Sequence, residues 1–252
     1  MKMDMARVSS GLGLLGLWIL LIGLGIATGE WRAFWQPRVL LWVWGGAGLS
    51  LLVQFSPQEI IGVFKELASA LIRREPTWRA LINEAAQLAD IARRRQHLGL
   101  EEAKIADPLL ARGVQWLVDG YDAAALRTLW ADDAQRAEAH LTEARRLLRS
   151  LALAAASLGL LGALVGLIQA FLGLQEPLRA GMGLASALVA VFYGVVLAFL
   201  VAQPLAGRLE QVGVRERRRR AVALEAILGI QQGVSPHLLF QRLTAQTTGP
   251  SA

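Results

Sequence analysis

Two arginines and two glutamates carry the clearest chemical potential in this sequence: Arg93 and Arg94, answered eight residues later by Glu101 and Glu102. Guanidinium and carboxylate groups can form ion pairs with groups of opposite charge. Each exposed pair is worth under about 1 kcal/mol. Residues eight apart on a continuous helix project about 80° apart, so the two charge types can share one broad face. A merely solvated helix surface is the plainer alternative. Little else in the chain suggests chemistry. Cysteine is absent, which removes disulfides, thiolate nucleophiles and thiolate metal sites together. His97, His140 and His237 are far apart and have no companion ligands. No paired acid and base, nucleophile or phosphate-binding loop is evident, so neither enzyme activity, cofactor nor metal is expected.

The elements that must position these charges are set by the membrane. Four segments, Val8–Thr28, Val39–Phe55, Ser150–Gln175 and Ala180–Gly207, contain no Asp, Glu, Lys or Arg. Each reaches or approaches the roughly twenty residues that a helix needs to cross a bilayer, and a backbone in lipid must satisfy its own hydrogen bonds. A mean hydropathy of +0.42 agrees. The expected fold is therefore an all-α membrane protein: four transmembrane helices, with a large helical cytoplasmic domain between helices two and three. The first segment lacks a small-x-small cleavage pattern and is expected to remain as a span. Residues 1–55 hold spans one and two, 56–149 the cytoplasmic domain, 150–207 spans three and four, and 208–252 a cytoplasmic tail helix.

Orientation follows from the basic residues. The connections between paired spans hold only Glu30, Arg32 and Arg38, then Glu176 and Arg179, while nearly all of the 26 Lys and Arg fall in the N-terminus, long loop and tail. Positive-inside bias places both termini and the loop in the cytoplasm. Trp31, Trp35, Trp42 and Trp44 suit headgroup anchoring at one face. Net charge is +6, but the basic residues divide between membrane flanks and helix faces that also carry carboxylates. The densest run, Arg215 to Arg220, follows span four closely and is assigned to anionic membrane lipid rather than nucleic acid.

Between the span pairs the chain reads as helices broken by turns. Pro57 opens an amphipathic segment expected to continue span two; Pro76 starts a helix over Thr77–Gln96; Asp107-Pro108 and Asp119-Gly120 break the chain again. From Asp122 a last helix enters span three without interruption, and the tail helix turns at Gly233-Val-Ser-Pro236. Spans three and four are rich in small residues, with Gly162 and Gly166 forming a GxxxG pair that allows close backbone approach. Packing within one chain and lining of an oligomer's central cavity explain that spacing equally well. With no ionisable group in any span, a titrating residue for an ion pathway would have to come from a partner.

Several stretches resemble the flagellar stator A subunits, the MotA/PomA branch of the MotA/TolQ/ExbB proton channel superfamily. They are Pro37 with Gly45-Gly46; Arg93 to Glu101 followed by Asp107-Pro108 and Asp119-Gly120; Gly159 to Ile168; Ala187 to Gly194 continuing to Gln203-Pro204-Leu-Ala206; and Glu225 to Pro236. The resemblance implies a multi-pass bacterial inner-membrane protein forming a homo-oligomer, a pentameric ring around a single-span MotB-like subunit with a transmembrane aspartate. It implies rotor contact, with a FliG-like protein, through Arg93 and Glu101 with neighbours Arg94 and Glu102. Ala156, Gly159, Ala163, Val191 and Pro204 take the ion-pathway lining positions. The family's usual proline is Ala156 here and a usual threonine is Val191, while Ala163 stands near another threonine of sodium-type members. This loss of hydroxyls favours protons as the ion. A divergent ExbB/TolQ-like energiser of another envelope machine and a nonconducting membrane scaffold are the alternatives.

Overall fold

The computed structural model describes Gly16 and residues 34–72 and 78–248, without the side chains of residues 66, 69–72, 95–98 and 248. The expected first span, Val8–Thr28, lies outside the described residues apart from Gly16, as does the Pro76 break. All regular elements among the described residues are helical: α1, Pro37–Gln54; α2, Pro57–Ile72; α3, Trp78–Glu101; α4, Pro108–Val118; α5, Ala123–Leu172; α6, Pro177–Gln231; and α7, Pro236–Thr248. Pro37, Pro57, Pro108, Pro177 and Pro236 each open one. Their missing N–H is harmless at that position and the fixed φ suits a helix.

α5 and α6 are long and apolar enough to cross a membrane. α1 and the first part of α2 also pass that test together, but a 112° bend separates them. The expectation that α2 continues span two is therefore corrected. Phe55 is extended at φ −132°, ψ 146°, and Ser56 then starts a new helix through a reciprocal cap. Its hydroxyl accepts from Glu59 N at 3.3 Å, and its own N–H donates to Glu59 Oε2 at 2.8 Å. α3 also departs from expectation, running past Gln96 to Glu101.

The chain forms two compact units. The first comprises residues up to Leu67 together with Glu143–Arg208. Its centre is a seam of small residues on α5 and α6. A Cβ added at Gly159 would lie 2.9 Å from Gly194 Cα, at Gly162 2.8 Å from Ala190 Cβ, at Gly166 2.6 Å from Ala187 N, and at Gly183 2.5 Å from Ala170 N. These antiparallel helices touch almost backbone to backbone, as the GxxxG spacing allows. Packing within the chain thus accounts for these glycines. Val196–Ala202 in α6 is a π-helical turn. Pro204 lies two residues beyond its end: its nitrogen has no N–H to donate and its ring crowds the carbonyl of Leu200, so the ladder widens there.

The second unit comprises Ala68–Thr142 and residues from Leu209 onward. Its core draws Leu81, Leu88, Leu110, Leu126, Ile227, Leu239 and Leu243 from α3, α4, α5, α6 and α7. Asp122 caps α5 by accepting from Ala125 N at 2.7 Å. The expected turn at Gly233 is present, with φ +69°, a conformation glycine tolerates. α7 beyond it was not anticipated. It lies against α3 and buries Leu239 and Leu243.

Candidate functional site

In the second unit, Arg93 and Arg94 are exposed on α3, Glu101 ends that helix exposed, and Glu102 follows it in the open. One unbroken helix therefore carries both arginines and the first glutamate, as the eight-residue argument requires. Among the described residues, Arg94 has a carboxylate partner close by: its Nε lies 3.0 Å from Asp90 Oδ2, with the arginine side chain 76% exposed. The four charges do not pair with one another. They form a solvent-facing strip.

Behind that strip lies a charged hub that sequence reasoning missed. Asp107 is 2% exposed, the buried charged residue among the described residues. Its Oδ1 accepts from Leu109 N at 2.9 Å and Leu110 N at 3.4 Å, capping α4, while Oδ2 accepts from Arg219 Nη2. Glu84 on α3 accepts from Ala106 N, and from Asp107 N at 3.2 Å. Asp133 takes Arg112 and Arg220 together; Arg220 also pairs with Glu216 at 3.1 Å, and Arg217 with Glu138 at 2.6 Å. The Trp130 indole donates to Arg220 O at 3.1 Å and meets Trp116 edge to face. The assignment of the whole Arg215–Arg220 run to lipid is thus corrected: Arg217, Arg219 and Arg220 are engaged by carboxylates of their own unit.

In the first unit the expected lining positions separate into two kinds. Gly159 is buried against Gly194, and Ala163 is 9% exposed. Val191 is 39% exposed on α6, Ala156 is half-buried beside the α1, α5 and α6 core, and Pro204 is half-buried. Leu184, Leu188, Val191 and Val195 form an outward apolar stripe on α6. Tyr193, part of a motif but given no role by the sequence, is buried: its hydroxyl donates to Phe34 O and accepts from Gln36 N at 3.1 Å. Trp44 Nε1 donates to Tyr193 O at 3.3 Å. One tyrosine thereby fixes the entry to α1 against α6. A cavity of about 580 Å³ lies beside it, lined by Trp35, Arg38, Trp42, Gln169 and Ser186 among others.

The sequence model of the MotA/TolQ/ExbB proton channel family matches residues 101–221. The uncharacterized protein YtxD of Bacillus subtilis is 30% identical, the match covering 91% of this chain and 86% of the relative. This chain belongs to the MotA/TolQ/ExbB proton channel family. Chemotaxis protein PomA of Vibrio alginolyticus is 28% identical, covering 94% of this chain and 92% of the relative. The fold is that of a solved C. jejuni MotAB structure, with a TM-score of 0.86, 23% identity and 97% of each chain covered. The four apolar segments of this member hold no Asp, Glu, Lys or Arg.

Proposed function

We propose that this chain is the A-type stator subunit of a proton-driven flagellar motor. Five copies form a ring in the bacterial inner membrane, with four spans each and both termini in the cytoplasm, around a single-span MotB-like partner whose transmembrane aspartate carries the proton. Arg93, Arg94, Glu101 and Glu102 press on a FliG-like rotor. The observation that carries this reading is the absence of any charged residue from four span-length segments of a chain that matches motility proteins nearly end to end. Such a chain needs a partner's carboxylate to bind an ion.

Val191 and Ala156 offer accessible side-chain surface to that partner, while Gly159 and Ala163 set how closely two spans approach and Pro204 shapes the π turn beside them. With valine and alanine where hydroxyls could coordinate sodium, the pathway is left to protons. Membrane lipid surrounds the outward apolar stripe of α6 wherever partner helices do not.

The test is co-expression with the single-span partner in a stator-deficient motile host. Proton flux and swimming are the expected outcomes, and Arg93→Ala with Glu101→Ala should lower torque under load while flux and membrane levels persist. Absence of flux with both subunits assembled would leave the nonconducting scaffold instead. Unchanged swimming under load in the double variant would remove the rotor roles.

A further inference from the structure

We infer that Asp107 and Arg219 are positioning residues, whose ion pair fixes the connection from Glu102 to Ala106 and so sets where Glu101 and Glu102 are presented. The role of those glutamates rests on the rotor reading above; the placement of the connection does not. Five residues separate Glu101 at the end of α3 from Asp107 at the start of α4; within the segment Ala103 N donates to Leu100 O at 3.3 Å, and Ala103 and Ile105 pack half-buried on the core while Glu102, Lys104 and Ala106 face outward. Its far end is held by charge from both sides. Glu84 takes the N–H groups of Ala106 and Asp107, and Arg219 takes the Asp107 carboxylate.

Helix capping alone does not explain this arrangement. Serine or asparagine would cap α4 without bringing a cation into the core. Asp107 and Arg219 are 2% and 13% exposed, and Arg219 leaves a buried Nε without a partner. An apolar pair of equal volume would serve stability as well or better, because desolvating two charges offsets their attraction. What an ion pair adds is one defined geometry for one carboxylate. Here that carboxylate closes the segment bearing the acidic end of the charged strip.

The chain has no cysteine, so one introduced at Lys104, exposed in the connection, is unique and can carry a nitroxide. A second label at Arg127, exposed on α5 of the same unit, reports general loosening. In the full chain in detergent, Asp107→Asn keeps an acceptor for Leu109 N but loses the charge, and Arg219→Met removes the cation. Each should at least halve the immobilised fraction at position 104 and leave position 127 unchanged. The double variant should match the singles, and Arg219→Lys should restore part of the order; Lys also serves if Asp107→Asn fails to accumulate. Equal mobility at position 104 in all variants, or loosening at 104 and 127 together, overturns the inference. In motile cells Asp107→Asn should lower stall torque as far as Glu101→Ala does, with proton flux retained. If Glu101→Ala lowers torque and Asp107→Asn does not, positioning is refuted; if Glu101→Ala itself has no effect, the rotor reading falls and the label result alone decides placement.

Discussion

The α5–α6 seam of the first unit and the Asp107 hub of the second solve close approach in opposite ways. In the seam no charge is present and contact is backbone to backbone: Gly159 on Gly194, Gly166 on Ala187, Gly183 on Ala170. In the hub, carboxylates and guanidinium groups from segments far apart in sequence meet at hydrogen-bond distance. The difference follows from what each region would face if unfolded. Apolar spans in lipid gain little from the hydrophobic effect on meeting one another, so van der Waals contact over small residues must hold them. The second unit has a hydrophobic core to hold it, with Leu110, Leu126 and Ile227 among others, and can spend charge on specificity.

Breaking the hub should have the larger effect. Asp107→Ala removes the α4 cap and strands Arg219, 13% exposed, without its carboxylate. Losing one partner of a buried pair costs about 3–5 kcal/mol. The fluorescence of Trp116 and Trp130 in the solubilised protein should report a lowered melting transition, and a shift no larger than that of an exposed-site variant would contradict the buried-pair account.

The seam can be probed with a single methyl group. A Cβ at Gly166 would sit 2.6 Å from Ala187 N and 2.7 Å from Ala187 Cα, so backbone has to move. Gly166→Ala should cost about 3 kcal/mol, the upper part of the overpacking range. At Gly229 in the second unit the clash is as short, 2.6 Å, but the neighbour is Leu239 Cδ1, the far end of a side chain. A side-chain end can turn aside, so Gly229→Ala should cost about 1 kcal/mol. Equal losses of melting temperature for the two variants would show that rigidity of the neighbour does not separate the units.

How much of this was readable beforehand depends on the range of the interaction. The two apolar segments that lie in α5 and α6, the Asp107-Pro108 break, the Gly233 turn and the uninterrupted run of α5 into its apolar half are local signals, and each survives in the structure. The Ser56–Glu59 capping box is equally local, but the apolar residues after Pro57 suggested continuity and hid it. Long-range partners were not readable. Arg219 finds Asp107 at a separation of 112 residues, Arg220 finds Asp133 at 87, and Tyr193 finds Gln36 at 157. Without those partners, an arginine run just beyond a span looks like a lipid contact, and a tyrosine in a glycine-rich motif looks like filler. Periodicity likewise showed that Gly159, Gly162 and Gly166 share a face, but a face does not name its neighbour.

The smallest effect sharpens the contrast within the second unit itself. Arg94 pairs with Asp90 one turn earlier on α3, an order favourable to the helix dipole, but the side chains are 76% and 46% exposed. Such a pair contributes about 0.3–0.5 kcal/mol, so Arg94→Ala should leave the melting transition nearly where it was. Its consequence for rotor contact should be larger than for stability, because it both removes a cation from the exposed strip and unmasks the Asp90 carboxylate beside Arg93. Asp90→Asn makes the opposite change, freeing Arg94, and torque under load should then be equal to or above that of the parent chain. If Arg94→Ala destabilises the protein as much as Gly229→Ala does, the strip belongs to the architecture of the unit, and its exposed charges are not free to serve a moving partner.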